Sequence, residues 1–112
     1  MIKIRVERDR GGRLTRVLIT GHADFDEHGR DILCAAVSGL SIGLVNAIET
    51  MFGVRVHADD DAPGKLDCRL SPSVDPEKAE KIRLIMEAMV VALRNMADEY
   101  PDHVTIYERH SD

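Results

Sequence analysis

The chain has 112 residues, 44% of them hydrophobic, which suits one domain with one core and leaves little room for two. Twenty acidic against fifteen basic residues give a formal charge of -5, which argues against a general nucleic-acid binder or a polybasic membrane binder while allowing a local basic strip. The uninterrupted apolar runs fall far below the ~20 residues needed to cross a bilayer, and the alternating N-terminus does not read as a signal segment, so a cytoplasmic protein with no membrane partner is expected.

In chain order, Ile2, Ile4 and Val6 alternate with Lys3, Arg5 and Glu7, the period of a half-buried strand over 2–8. Asp9-Arg10-Gly11-Gly12 supplies a turn, and LTRVLIT continues as a second strand to Thr20, completing a hairpin. Gly21 ends that strand. GHADFDEHGR is polar and turn-rich, so 21–30 reads as a surface loop with bends at Gly21 and Gly29.

From 31 to 52 the apolar Leu33, Val37, Leu40, Leu44, Ile48 and Met51 recur at helical intervals, widened by Ile32, Ile42 and Val45. The polar side, Ser38, Ser41, Asn46 and Glu49, is thin, which implies cover from a sheet on one side and another element or subunit on the other. A homodimer follows from that breadth. Gly39 and Gly43 form a low ridge at a helix-propensity cost of about 1 kcal/mol each, which close helix packing would offset.

Gly53 stops the helix, and Val54, Val56 and Ala58 alternate as a third strand over 54–58. After Asp60-Asp61-Ala62-Pro63-Gly64, a fourth strand over 65–70 faces Leu66, Cys68 and Leu70 one way and Asp67 and Arg69 the other. Asp75 as N-cap and Pro76 at the first helical position open a second helix over 76–99. Its Ile82, Ile85, Met86, Met89, Val90, Leu93 and Met96 make a core face, not a cofactor box. Pro101 blocks continuation, and HVTIYER forms the last strand. The expected fold class is α+β, a small two-layer or mixed α/β domain over 1–112, ordered strand-strand-helix-strand-strand-helix-strand.

The chemistry concentrates between His22 and Ser38. With Asp31 as N-cap, Cys34 is the third helical residue, where unpaired amides favour a thiolate and could face an oxyanion. The loop from His22 is long enough to return its imidazole to Cys34, the pairing that cysteine nucleophilic catalysis needs for proton transfer. Ser38, one turn on, could orient the pair. Each has a plainer reading: an inert packed thiol, a loop-anchoring histidine, a helix cap and a serine bonded to its own helix. The two cysteines cannot form a four-thiolate metal site, a Cys34–Cys68 disulfide is not demanded by composition, and His22 with His28 lacks compact metal-ligand spacing.

The segment GHADFDEHGRDILCAAVS resembles the ribosomal-processing cysteine protease family in its GHA, its following glycine, its DI pair and its CAAVS; the MIKI first strand and element order extend the resemblance over essentially the whole chain. Leu33 stands where a valine is usual, a conservative change. The resemblance implies a small α/β homodimer without a cofactor or metal that removes the N-terminal extension of the ribosomal protein bL27 precursor, cutting beside aromatic residues. It matches His22 and Cys34 to the catalytic pair, and Asp31 and Ser38 to supporting positions; Phe25 could line an aromatic substrate pocket. No nucleic acid is directly required for that reaction. The acidic clusters Asp24, Asp26, Glu27, Asp31 and Asp59, Asp60, Asp61 would favour a cationic peptide. The competing expectation is a noncatalytic module that binds or assembles ribosomal protein.

Overall fold

Strands with one apolar and one charged row can bury only one face, and the chain resolves this by laying both helices on the apolar side of a single sheet. A computed structural model describes residues 1–21, 28–58 and 64–111, with residues 28–31 described by backbone alone. The elements are β1 (Ile2–Arg8), β2 (Leu14–Thr20), α1 (His28–Phe52), β3 (Lys65–Arg69), α2 (Pro76–Glu99) and β4 (Val104–His110). Strand order is β3-β2-β1-β4, antiparallel except for the parallel pair β1 and β4. A parallel neighbour needs a crossover, and the intervening helices supply it.

The β1–β2 hairpin closes where Asp9 accepts from the Gly11 and Arg13 amides through Oδ1, at 2.8 and 3.0 Å, with Gly12 at φ 82°. A register shift at Glu7/Arg8 then turns Arg8 to the helix side. There its guanidinium meets Glu87 of α2 at 2.6 and 2.9 Å and Glu108 of β4 at 2.8 Å, tying sheet to helix. These carboxylates hold the Arg8 pKa above its ordinary value.

Ile2, Ile4, Val6, Val17, Ile19, Cys68 and Val104 are buried in one core with rows from α1 and α2. The sequence rule for α2 holds in detail: Asp75 accepts from the Lys78 amide at 3.2 Å and Pro76 opens the helix. Met86 and Met89 are fully buried. Gly53 adopts φ 67° and its amide bonds the Glu49 carbonyl, ending α1.

Two expectations need correction. First, α1 starts at His28, so residues 28–30, Gly29 included, are helix and not surface loop. Second, residues 54–58 do not form a full strand. They contribute an isolated bridge, His57 to Cys68, with the Ala58 amide on the Asp67 carbonyl and the Arg69 amide on the Val56 carbonyl. The unbroken apolar runs are short, as expected, although Ile32–Phe52 as a whole is long and apolar enough to cross a membrane. Its Leu33, Val37, Val45 and Ile48 row is instead buried in the domain core, the packing of a core helix.

The opposite sheet face is charged. Three cross-strand rows run Lys65–Thr20–Lys3–Thr105, Asp67–Leu18–Arg5–Tyr107 and Arg69–Arg16–Glu7–Arg109. Arg16 grips Asp67 with two bonds, 2.8 and 2.9 Å, and Arg69 adds a third at 2.9 Å. These donors, Arg16 first, hold the Asp67 carboxyl well below the usual carboxylate range.

Candidate active site

At one end of the sheet, β2 stops because Gly21 turns to φ 88°, a left-handed conformation that L side chains rarely adopt. A Cβ there would collide with the Met1 carbonyl oxygen. The Gly21 amide also donates to the Gly64 carbonyl at 3.0 Å. Residue 21 is thereby pinned between the start of β1 and the approach to β3, and only glycine fits.

This pinned corner forms part of a cleft of about 250 Å³ whose other wall is α1. The helix contributes Cys34, Ser38 and Ser41, on one face at spacings of four and three residues. Ile2 and Ile19 make an apolar floor. Cys34 is half-buried and Ser38 exposed, so both are reachable from the opening. Cys34 and Cys68 are not joined in a disulfide. Cys68 is fully buried, and burial, reinforced by the Asp67 charge, pushes its thiol up to about 12. Of the two sulfurs, only that of Cys34 is positioned to react.

The structure therefore brings Cys34 and Ser38 together at one cleft, as the sequence leads one to expect. It moves Asp31 off the N-cap. With α1 starting at His28, Asp31 is inside the helix rather than at its N-cap, and Cys34 is the seventh helical residue rather than the third. A residue at that depth has its amide paired within the helix, so the first-turn amides are not an oxyanion site around Cys34. His22 and Phe25 lie outside the described residues, as do Asp24, Asp26, Glu27 and Asp59, Asp60, Asp61.

Two cleft residues were not singled out by sequence. Ser41, read as part of the polar side, is buried and donates to the Val37 carbonyl at 2.7 Å. Its seven-residue offset from Cys34, two helical turns, was the available signal. Lys65 also lines the cleft, but an exposed strand-start lysine carries no sequence mark. Among the described residues, no three His, Cys, Asp or Glu side chains converge as metal ligands.

The family model described as cysteine protease Prp matches residues 1–105. The chain belongs to that family. It is a cysteine protease, which selects the enzyme over the noncatalytic binding module. Among curated relatives, the ribosomal processing cysteine protease Prp of Bacillus subtilis is 32% identical over 107 residues, covering 95% of this chain and 96% of the relative. Its Staphylococcus aureus counterpart is 35% identical, covering 95% and 97%. Among solved structures, a Streptococcus mutans protein is 36% identical with a TM-score of 0.84, covering 99% of this chain and 96% of that one. The S. aureus Prp protease in complex with a covalently linked product peptide is 31% identical with a TM-score of 0.80, covering 97% and 100%.

Proposed function

We propose that the chain is a cysteine endopeptidase, one domain over 1–112, that removes the N-terminal extension of ribosomal protein bL27 through a Cys34–His22 pair. The observation that carries the assignment is that Cys34 is half-buried in a cleft which Gly21 also lines, and His22 is the residue bonded to Gly21. Successive Cα atoms are about 3.8 Å apart, so residue 22 follows directly in the chain on a residue that lines the cleft. The ribosomal-processing names of the relatives support the substrate class, and the covalently linked product peptide of the S. aureus protease supports covalent catalysis.

In this reading His22 takes the Cys34 thiol proton and the thiolate attacks the scissile carbonyl carbon. The tetrahedral intermediate collapses with cleavage of the C–N bond, and the imidazolium protonates the departing amine. Water, deprotonated by His22, then attacks the thioester, releasing the carboxylate product and returning the thiol. No metal or cofactor enters either step. Ser38, one turn along, orients the pair by hydrogen bonding; Asp31, three residues before Cys34, adds negative charge that favours a cationic substrate segment. Phe25 supplies an aromatic contact for the residues beside the cut.

The protein works in the cytoplasm as a homodimer paired through α1. Supporting this, Ile32, Ile42 and Met51 are exposed, at 70%, 47% and 65%. Among the described residues, a Cβ added at Gly39 or Gly43 would meet nothing within 4 Å, so none of them requires the smallness of these glycines.

The test is incubation of the reduced protein with the N-terminal peptide of bL27 from the same organism, with products read by intact mass. One cut is expected. Cys34→Ala should abolish it, His22→Ala should slow it by about 10²–10⁴-fold, and chelation of divalent ions should leave it unchanged. Full-rate cleavage by folded Cys34→Ala protein would overturn the assignment.

A further inference from the structure

We propose that the open face of the sheet, turned away from both helices, is a docking surface for single-stranded RNA. Among the described residues that face carries six cations against two carboxylates, in a chain whose overall formal charge is -5. Both carboxylates are already engaged by arginines of the same face: Glu7 by Arg5 at 2.9 Å, and Asp67 by the two bonds from Arg16. Setting those two pairs and Lys65 aside leaves Lys3, Arg69 and Arg109 as net positive charge, on the first and third rows. The Arg69 side chain is 60% exposed even while touching Asp67. Concentrating positive charge on one face of an acidic molecule selects a polyanion and orients its approach.

The other occupants fit less well. A second copy of this face would oppose it with like charge. A peptide strand gains affinity from main-chain bonds at a sheet edge and from pockets for side chains. This face offers neither, since its central strands β1 and β2 are paired on both sides and its apolar surface is essentially half-buried Leu18. A nucleic-acid strand needs cations for phosphates and an exposed ring for a base. Tyr107 supplies the ring, 48% exposed, in register with Arg5 and two residues from Arg109. In the row Lys65–Thr20–Lys3–Thr105, threonine hydroxyls alternate with lysines. Hydroxyls beside phosphate-binding cations suit the ribose 2′-hydroxyl and thus favour RNA over DNA. Apart from Lys65, which also lines the Cys34 cleft, the surface is separate from the proteolytic site, since none of Lys3, Tyr107, Arg69 and Arg109 lines that cleft.

The experiment is fluorescence anisotropy of a labelled twelve-residue oligouridine with the full chain at about 50 mM salt, repeated at rising salt. Saturable binding is expected, with a log-log salt slope near -2 for roughly three phosphates. Arg109→Glu combined with Tyr107→Ala should weaken it at least about tenfold, the scale of one stacked base plus one phosphate contact. Peptide cleavage and unfolding temperature should stay at wild-type values in the same variant, which separates a lost surface from a damaged fold. Absence of binding, or affinity indifferent to that variant, overturns the proposal. Equal affinity for oligothymidine, or displacement by an equimolar polyglutamate of the same length, overturns the assignment to RNA.

Discussion

Gly21 shows how one residue can be decisive without taking part in chemistry. Its positive φ and its approach to the Met1 carbonyl exclude a side chain, and its amide is held by Gly64. Gly21→Ala is expected to lower kcat/KM by tenfold or more while the chain stays folded, since strain of about 1–3 kcal/mol falls on the segment that leads into His22; steady-state kinetics with thermal unfolding would check both halves. Asp67 carries a stability prediction. Its pKa lies below the unfolded value because Arg16, then Arg69, favour the carboxylate. The folded state therefore binds its proton less readily than the unfolded one, and the contribution is complete above about pH 4 and lost as acid titrates the folded group. Asp67→Asn should cost about 1–2 kcal/mol near neutrality, the ion pairs being partly open to solvent, and should flatten stability against pH below about 4 in urea titrations. Sequence alternation correctly put Asp67 on the charged face. It could not show the residue buried there, because the cover comes from Arg16 on the neighbouring strand.

At the level of elements, agreement follows where the cause is local. The β1–β2 hairpin, the Asp75 cap, the Pro76 start and the Gly53 stop all rest on side chains acting within a few residues, and all appear in their expected places. The helix start at His28 was missed because 28–31 are polar and lack the apolar period that identified the rest of α1. That shift takes the helix terminus away from Cys34, so in the proposed mechanism activation falls to a partner side chain. Residues 54–58 alternate like a strand, yet alternation fixes only which residues could share a face. The number of bonds made depends on how the segment meets β3, which here amounts to one bridge.

For the whole molecule, the two surfaces left open by the fold differ in character. The sheet face is polar and basic; the α1 face is apolar, with the Gly39 and Gly43 ridge uncovered. If the proposed pairing through α1 holds, Gly43→Leu shifts the protein from dimer to monomer in sedimentation experiments over a range of concentrations, with circular dichroism unchanged, because the added side chain has space among the described residues of its own chain and none in a close helix pair. An unaltered dimer would place the contact elsewhere. Both surfaces were foreshadowed, the one by the thin polar side of α1 and the other by the alternating cations of β1. Only the strand order turned separate charges into one field.

What the sequence by itself determined was the family, through the GHA and CAAVS segments, and the identity of most elements, because period, caps and turn residues act over short distances. It also singled out Cys34. What only the tertiary structure decided was which cysteine is reachable, that Gly21 closes the same cleft from the far end of β2, that Ser41 turns inward, and that cations from all the strands share one face. Those facts depend on contacts between residues far apart in the chain, whose register no local pattern encodes.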